Sequence, residues 1–354
     1  MISERLLEVA RCPACRRMLA REGTSLCCDG CGTRYDALGD YVDLRPRESF
    51  EEQTKYLDET LHADARHETV SPPLLSAGVR YGMLRRFLKP GPGDRVLDLG
   101  CGSGRVLVWN RPLGACQAGI DVSPFFSVEA RRDMDLALGD LRRLPFADGA
   151  FNKAYALDVF EHLSREALQQ VMAEASRVLE PGGWLFVYSH VRKNAWIAGG
   201  LRLINRLAHR LERAGLMDVS QERLRKTDHL NPLADIPDLE ATTEAAGFRI
   251  ARIRYYTPLL AGLIENILVR VVEHRLATRT AGNPAEAGSD AERPDDAREG
   301  ARAARTAAKA RIARGGVVAV ALHALTWLLK LDVVLWGRVR SGPFFALLVK
   351  ERAS

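Results

Sequence analysis

Short apolar runs alternate along the chain with longer segments whose apolar residues recur every three or four positions. Glycine or proline separates them. Val96, Leu97 and Leu99 make a buried-strand pattern that runs into Gly100, Gly102 and Gly104. Residues 118–121 predict a second strand, with Ser123-Pro124 opening a helix, and Leu138 closes a third. Residues 152–158 predict a fourth strand. A helix over 165–179, the turn Glu180-Pro181-Gly182-Gly183 and a fifth strand over 184–189 follow. Strands at 248–255 and 344–350 complete the set, and a helix over 78–88, stopped by Lys89-Pro90-Gly91-Pro92, leads in. Strand, helix and strand repeated in this order predict an α/β fold with a doubly wound parallel sheet, whose ligands lie outside the carboxyl ends of its strands.

Two segments interrupt that repeat. The first, within 192–230, predicts an amphipathic helical insertion in which Trp196, Ile197, Leu201, Leu203, Ile204, Leu207 and Leu211 stand among arginines. The second, 259–340, holds apolar helices over 258–272 and 315–336. Between them, around 277–311, lies a loop of Ala, Arg, Asp and Glu with too few large apolar residues to fold alone, which predicts disorder. The apolar stretch 315–329, ended by Lys330 and Asp332, is shorter than the roughly 20 residues a bilayer requires, so no transmembrane helix is predicted.

The N-terminal 45 residues carry a different signal. An apolar opening turn (Ile2, Leu6, Leu7, Val9) precedes Cys12-Pro13-Ala14-Cys15, and Cys28-Asp29-Gly30-Cys31 follows. Two such knuckles present four thiolates to one ion, the donor set of structural zinc, with Cys12, Cys15, Cys28 and Cys31 as ligands. Cys27 competes with Cys28, and Cys28 is preferred because it restores the spacing; Cys27 is then a small buried residue. The segment is too short for a core of its own, so metal is expected to supply its folding energy. The stretches LLEVARCPACRRML and LCCDGCGTRY resemble the zinc-ribbon domains of small methyltransferase activator proteins, and the ribbon heading certain ribosomal-RNA guanine methyltransferases.

The glycine turn decides the cofactor. A dinucleotide site would read G-x-G-x-x-G; here Asp98 precedes the glycines, where it would repel a phosphate and suits a cation. This motif resembles the first motif of the class I S-adenosylmethionine-dependent methyltransferases, which implies a seven-stranded Rossmann-like sheet. The resemblance implies that Asp98, Gly100, Gly102 and Gly104 hold the methionine end of the cofactor, and Asp121 the ribose hydroxyls. Asp140 and Leu141 then lie beside the adenine, with Asp158 closing the cofactor set at the end of strand four. Asn152 stands where that family has aspartate.

A methyl acceptor that is a weakly acidic hydroxyl needs a base, and the candidates at the mouth are His162, His190 and His229. The apolar insertions point to a lid that takes a hydrophobic acceptor (a lipid, quinone or polyketide-like compound) for O-methylation at a membrane surface. The 192–230 region loosely resembles the ubiquinone-pathway O-methyltransferases. Two alternatives stand beside this reading: a ribosomal-RNA base methyltransferase whose ribbon reads RNA, and a non-catalytic partner-binding module. Packing of the insertions on the sheet, or in a dimer, is the alternative to a membrane contact.

Composition adds bounds. The 354 residues suit about two domains of roughly 100 to 200 residues each, and 47% hydrophobic content supports a full core. The expected division is a ribbon over 1–45, a connector over 46–77 and a methyltransferase domain over 78–258 and 341–354. A net charge of +6 admits an anionic partner, nucleic acid or membrane, without requiring one. Seven cysteines, four of them in paired spacing, and a start lacking an apolar signal region place the chain in a reducing cytoplasm, with peripheral contact to the inner face of a membrane.

Overall fold

In the computed structural model, the described residues are 3–46, 70–192, 198–216, 229–256, 258–271 and 315–352. The chain begins with α1 (Glu4–Val9) and an antiparallel sheet of β1 (Leu19–Glu22), β2 (Ser25–Cys28) and β3 (Arg34–Asp36), followed by the two-residue β4 (Val42–Asp43). After α2 (Leu75–Leu88) come β5 (Arg95–Leu99), α3 (Arg105–Asn110), β6 (Cys116–Asp121), α4 (Val128–Asp133) and β7 (Asp135–Leu138). Then follow β8 (Phe151–Leu157), α5 (Arg165–Val178), β9 (Leu179–His190) and α6 (Ala198–Arg213). The chain goes on through α7 (Ile236–Ala245), β10 (Phe248–Tyr255), α8 (Pro258–Leu263), α9 (Val317–Trp336) and β11 (Pro343–Lys350).

The main sheet has the order β10-β11-β9-β8-β5-β6-β7-β4. From β4 to β9 every pairing is parallel; β11 enters antiparallel between β9 and β10. The reversal of chain order beside β5 opens a crevice at the carboxyl ends of β5, β6 and β8, where a doubly wound sheet binds its ligand. β5 is apolar because both its faces are covered: Val96, Leu97 and Leu99 are fully buried. α5 shows how a helix is seated against such a sheet. The Ser164 hydroxyl caps it by accepting from the Ala167 amide at 3.1 Å, and Leu168, Val171, Met172, Ala175 and Val178 form its buried stripe.

The N-terminal unit is not freestanding. β4 adds to the sheet edge in parallel with β7, Val42 opposite Ala137, and Leu6, Leu26, Tyr35, Val42 and Leu44 share one core with Leu97, Ile120, Phe146 and Phe151. The Arg11 amide donates to the Pro145 carbonyl and the Ala147 amide to Val9, both at 2.8 Å. The buried Glu174 of α5 accepts from Arg16, Arg177 and the Leu144 amide. Folding energy expected from metal alone is therefore supplemented by apolar burial against the main sheet.

Several elements differ from their predicted bounds. The fifth strand begins at Leu179, and its pairing with β8 shifts register across the Glu180–Gly183 turn. The helix after β10 is α-helical only over Pro258–Leu263, then widens to a π-helix over Ile264–Val269. The expectation that the apolar stretch near 315 is too short to span a bilayer is corrected: α9 runs 20 residues, long and apolar enough to cross by length and composition. Asp332 does not end it because that carboxylate turns inward and is buried. The 277–311 loop, most of the 46–77 connector, and 193–197 and 217–228 of the first insertion lie outside the described residues. Asn152 also has its reason: its Oδ1 accepts from the Arg95 amide at 2.9 Å and its Nδ2 donates to Asp94 at 3.2 Å, where an aspartate would set two carboxylates together.

Candidate active site and four-cysteine cluster

β5 delivers Asp98 to the crevice and the glycine turn carries the chain out into α3. The turn is tied to β6, with the Gly100 and Cys101 amides donating to the Ile120 carbonyl at 2.9 and 3.1 Å. Asp121, at the end of β6, accepts from the Gly102 amide at 2.7 Å and from the Ser123 amide at 2.9 Å. Gly104 has φ +75°, and a Cβ there would lie 2.6 Å from Ala130 of α4, so packing requires glycine. Gly102, at φ +54°, faces open space. Its missing side chain leaves a cradle floor.

Asp98 is 3% exposed, and its Oδ2 has no hydrogen-bond partner among the described residues. Burial pushes its carboxyl well above the usual range, and the charge of Asp121 adds to this; the Tyr155 hydroxyl and Arg105 act in the opposite direction. A buried acid with an orphaned oxygen beside an open glycine floor fits a cationic ligand. The ammonium and sulfonium of S-adenosylmethionine are such cations. Asp140 is placed at the end of β7, but its carboxylate is held by Arg142 at 2.8 to 3.0 Å, and Leu141 is half-buried against the core. Asp158 takes a left-handed φ of +57° and pairs with Arg80 of α2 at 2.9 Å.

The three candidate histidines, far apart in sequence, converge. The His162 and His229 rings lie 4.7 Å apart, edge to face, and His190 is 6.5 Å from His229. Glu161, 1% exposed, lies among them. It accepts from the Ser189 hydroxyl at 2.9 Å, its Oε1 is 3.5 Å from His190 Nδ1, and its carbonyl accepts from the Asn231 amide at 2.9 Å. Burial would raise its pKa, but His190 and then His162 outweigh that and hold it below the usual carboxylate range. The His190 contact is too long for a formed hydrogen bond, and His190 Nδ1 has no other partner among the described residues. Glu161 and Arg80 are the site residues that sequence reasoning missed. The Glu161-His162 adjacency was a visible signal for the first; Arg80 reaches Asp158 from a helix whose sequence gives no such sign.

At the other end of the chain the four cysteines meet. The Sγ atoms of Cys12, Cys15, Cys28 and Cys31 all lie within 4.8 Å of one another, with Cys12–Cys31 at 3.6 Å and Cys15–Cys28 at 3.3 Å. Tetrahedral zinc at about 2.3 Å from each sulfur would set them about 3.8 Å apart, so the donor set fits. The Tyr35 hydroxyl lies 3.1 Å from Cys12 Sγ. Cys27 stands outside the group and is half-buried, not fully enclosed as expected, because its β2 position turns it to the opposite side from Cys28.

Residues 97–187 match the family model described as "Methyltransferase domain". Methyltransferase GfsG of Streptomyces halstedii is 33% identical over 178 residues, 44% of this chain and 60% of that protein. The 24-methylenesterol C-methyltransferase 2 of Oryza sativa subsp. japonica is 27% identical over 52% of this chain and 53% of its own length. The probable tRNA methyltransferase 9B of Mus musculus is 30% identical over 37% of this chain and 30% of its own. The chain thus spans less than two thirds of the length of each of these relatives. The acid-led glycine turn, the strand order and the domain match agree, and they show that this chain carries a class I S-adenosylmethionine-dependent methyltransferase domain.

Proposed function

We propose that the protein transfers a methyl group from S-adenosylmethionine to a hydroxyl of a hydrophobic small molecule, of the lipid, quinone or polyketide-like kind. The observation that carries this reading is the gathering of His162, His190 and His229 around the buried Glu161, at the ends of β8 and β9 beside the glycine turn. The cofactor supplies an electrophilic methyl group when bound; Asp98, the Gly102 floor and Asp121 would hold it, with Asp140, Leu141 and Asp158 along the same crevice. The chain's own part is to orient the acceptor and take its proton, and a histidine ring near neutrality is suited to that. Glu161 offers a negative charge to any imidazolium formed. The hydrophobic acceptor is supported by the first insertion, which leaves the sheet immediately after His190 with Leu203 and Leu207 exposed, and by the sterol named in one relative.

The four cysteines would hold a structural zinc ion. A second reading, an RNA acceptor, is favoured by the relative named as a tRNA methyltransferase. Incubating the purified protein with methyl-labelled S-adenosylmethionine and a cell extract, then separating organic, RNA, protein and polar fractions, distinguishes them. Label in the organic phase, released as an alkali-stable ether, is the expected result. Label in RNA, or on carbon of an organic product, would replace the present assignment.

A further inference from the structure

Among the described residues, a long run of exposed apolar side chains lies on α9. One stripe of this helix is seated on the protein: Ala319, Thr326, Leu329, Asp332 and Val333 are buried. The Leu75 amide donates to Thr326 Oγ1 at 2.7 Å, and a Cβ on Gly78 would meet Thr326 at 2.6 Å, so α2 and α9 touch closely. The opposite side is open. Val318, Val320, Trp327, Leu328, Leu335 and Trp336 are exposed, Val320 at 69% and Trp327 at 62%. The one acid of the helix, Asp332, is turned inward and Lys330 lies along α2 beside Gly82, so the outward face carries apolar groups and His323. A contiguous apolar face of this length on a soluble domain marks a contact site.

Charge identifies what it meets. The chain leading into α9 carries Arg302, Arg305, Lys309, Arg311 and Arg314 with no acid from 300 to 316, and Arg338 and Arg340 follow the helix. Basic clusters at both ends of an apolar, tryptophan-bearing helix complement an anionic lipid leaflet. The adjoining segment 272–314 holds only Val272, Leu276 and Ile312 as large apolar side chains, a poor match for a face of this size. A second copy would bring the same positive ends toward each other.

We infer that α9 is an interfacial anchor: its outer face seats in an anionic bilayer surface while its inner stripe stays on α2. The anchor lies parallel to the membrane and does not cross it, because crossing would strip Thr326, Leu329 and Val333 from α2. This inference does not depend on the acceptor or on methyl transfer.

The test is co-sedimentation of the full chain with phosphatidylcholine vesicles and with mixed phosphatidylcholine–phosphatidylglycerol vesicles, with S-adenosylmethionine affinity measured in parallel as a check on folding. The expected result is binding to the mixed vesicles, weakened by salt, with Trp fluorescence quenched by brominated acyl chains. The double variant Val320→Glu, Trp327→Glu should lose roughly tenfold or more in partitioning with cofactor affinity intact. Absence of binding to either vesicle, or binding unchanged in the double variant, would overturn the inference. So would a stable dimer dispersed by the same variant, or a bound form in which protease reaches the chain from both sides of the bilayer.

Discussion

Asp98 is a carboxyl group that the fold buries while leaving one oxygen without a donor among the described residues. Its raised pKa means the free protein holds the proton at pH values where an ordinary aspartate has lost it. A bound cation favours the ionised form, so the sign is fixed: S-adenosylmethionine binding should release protons, and the release should fall to zero once pH exceeds the raised pKa. Calorimetry in two buffers of different ionisation enthalpy measures this directly; equal apparent enthalpies in both would show Asp98 already ionised. Gly102 gives a second test. Gly102→Val places a branched side chain at a left-handed φ on the cradle floor, and cofactor affinity should fall roughly tenfold or more, with a lowered melting temperature from the backbone strain but a transition that stays cooperative. At this scale the turn and Asp98 were legible in the sequence because they are contiguous, whereas Asp121, 19 residues from the Gly102 amide it meets, was reached only through the resemblance. Glu161 and Arg80 were not, since their roles depend on Ser189, His190 and Asp158, which only the folded sheet brings to them.

Among the elements, strands and caps were legible wherever local pattern and tertiary environment agree. β10 occupies the predicted residues, and Ser164 caps α5 as serine before an amphipathic run should. α9 was expected over 315–336 and is found over Val317–Trp336; only its apolar length was misjudged, because charge was counted along the chain without reference to face. Lys330 and Asp332 end the apolar stretch in sequence; in the helix, Lys330 lies along α2 and Asp332 turns in. Burial raises Asp332 to about 6 from its ordinary 3.8, and its Oδ2 has no hydrogen-bond partner among the described residues. Because the folded value lies above the unfolded one, its contribution to stability is complete below the unfolded value and is lost as pH rises through about 6. Asp332→Asn should therefore be more stable than the parent by about 1 to 2 kcal/mol near pH 8, after allowance for partial solvation, and nearly equal to it near pH 4. Thermal melts at the two pH values check this, and a gain independent of pH would contradict it.

For the whole molecule, the finding is that the cysteine-bearing unit and the methyltransferase sheet are built as one body. β4 extends the sheet, a single core runs from Leu6 to Phe344, and Glu174 holds Arg16 of one part and Arg177 of the other. Knuckle spacing was visible in the sequence; this union was not, because a two-residue strand at a sheet edge leaves no periodic trace. Two outcomes follow at this scale. Chelation of metal, or Cys12→Ser, should lower a single melting transition shared by both parts, and two separate transitions would show independent domains. Glu174→Ala should cost about 2 to 3 kcal/mol, less than a fully buried pair because Arg16 is half exposed.

The crevice at the end of β5 is proposed to hold S-adenosylmethionine through Asp98. Titration of the full chain with S-adenosylmethionine by calorimetry tests it most directly. One site per chain is expected, abolished by Asp98→Ala in a protein that still melts cooperatively; binding of equal affinity in that variant would rule out this role for Asp98.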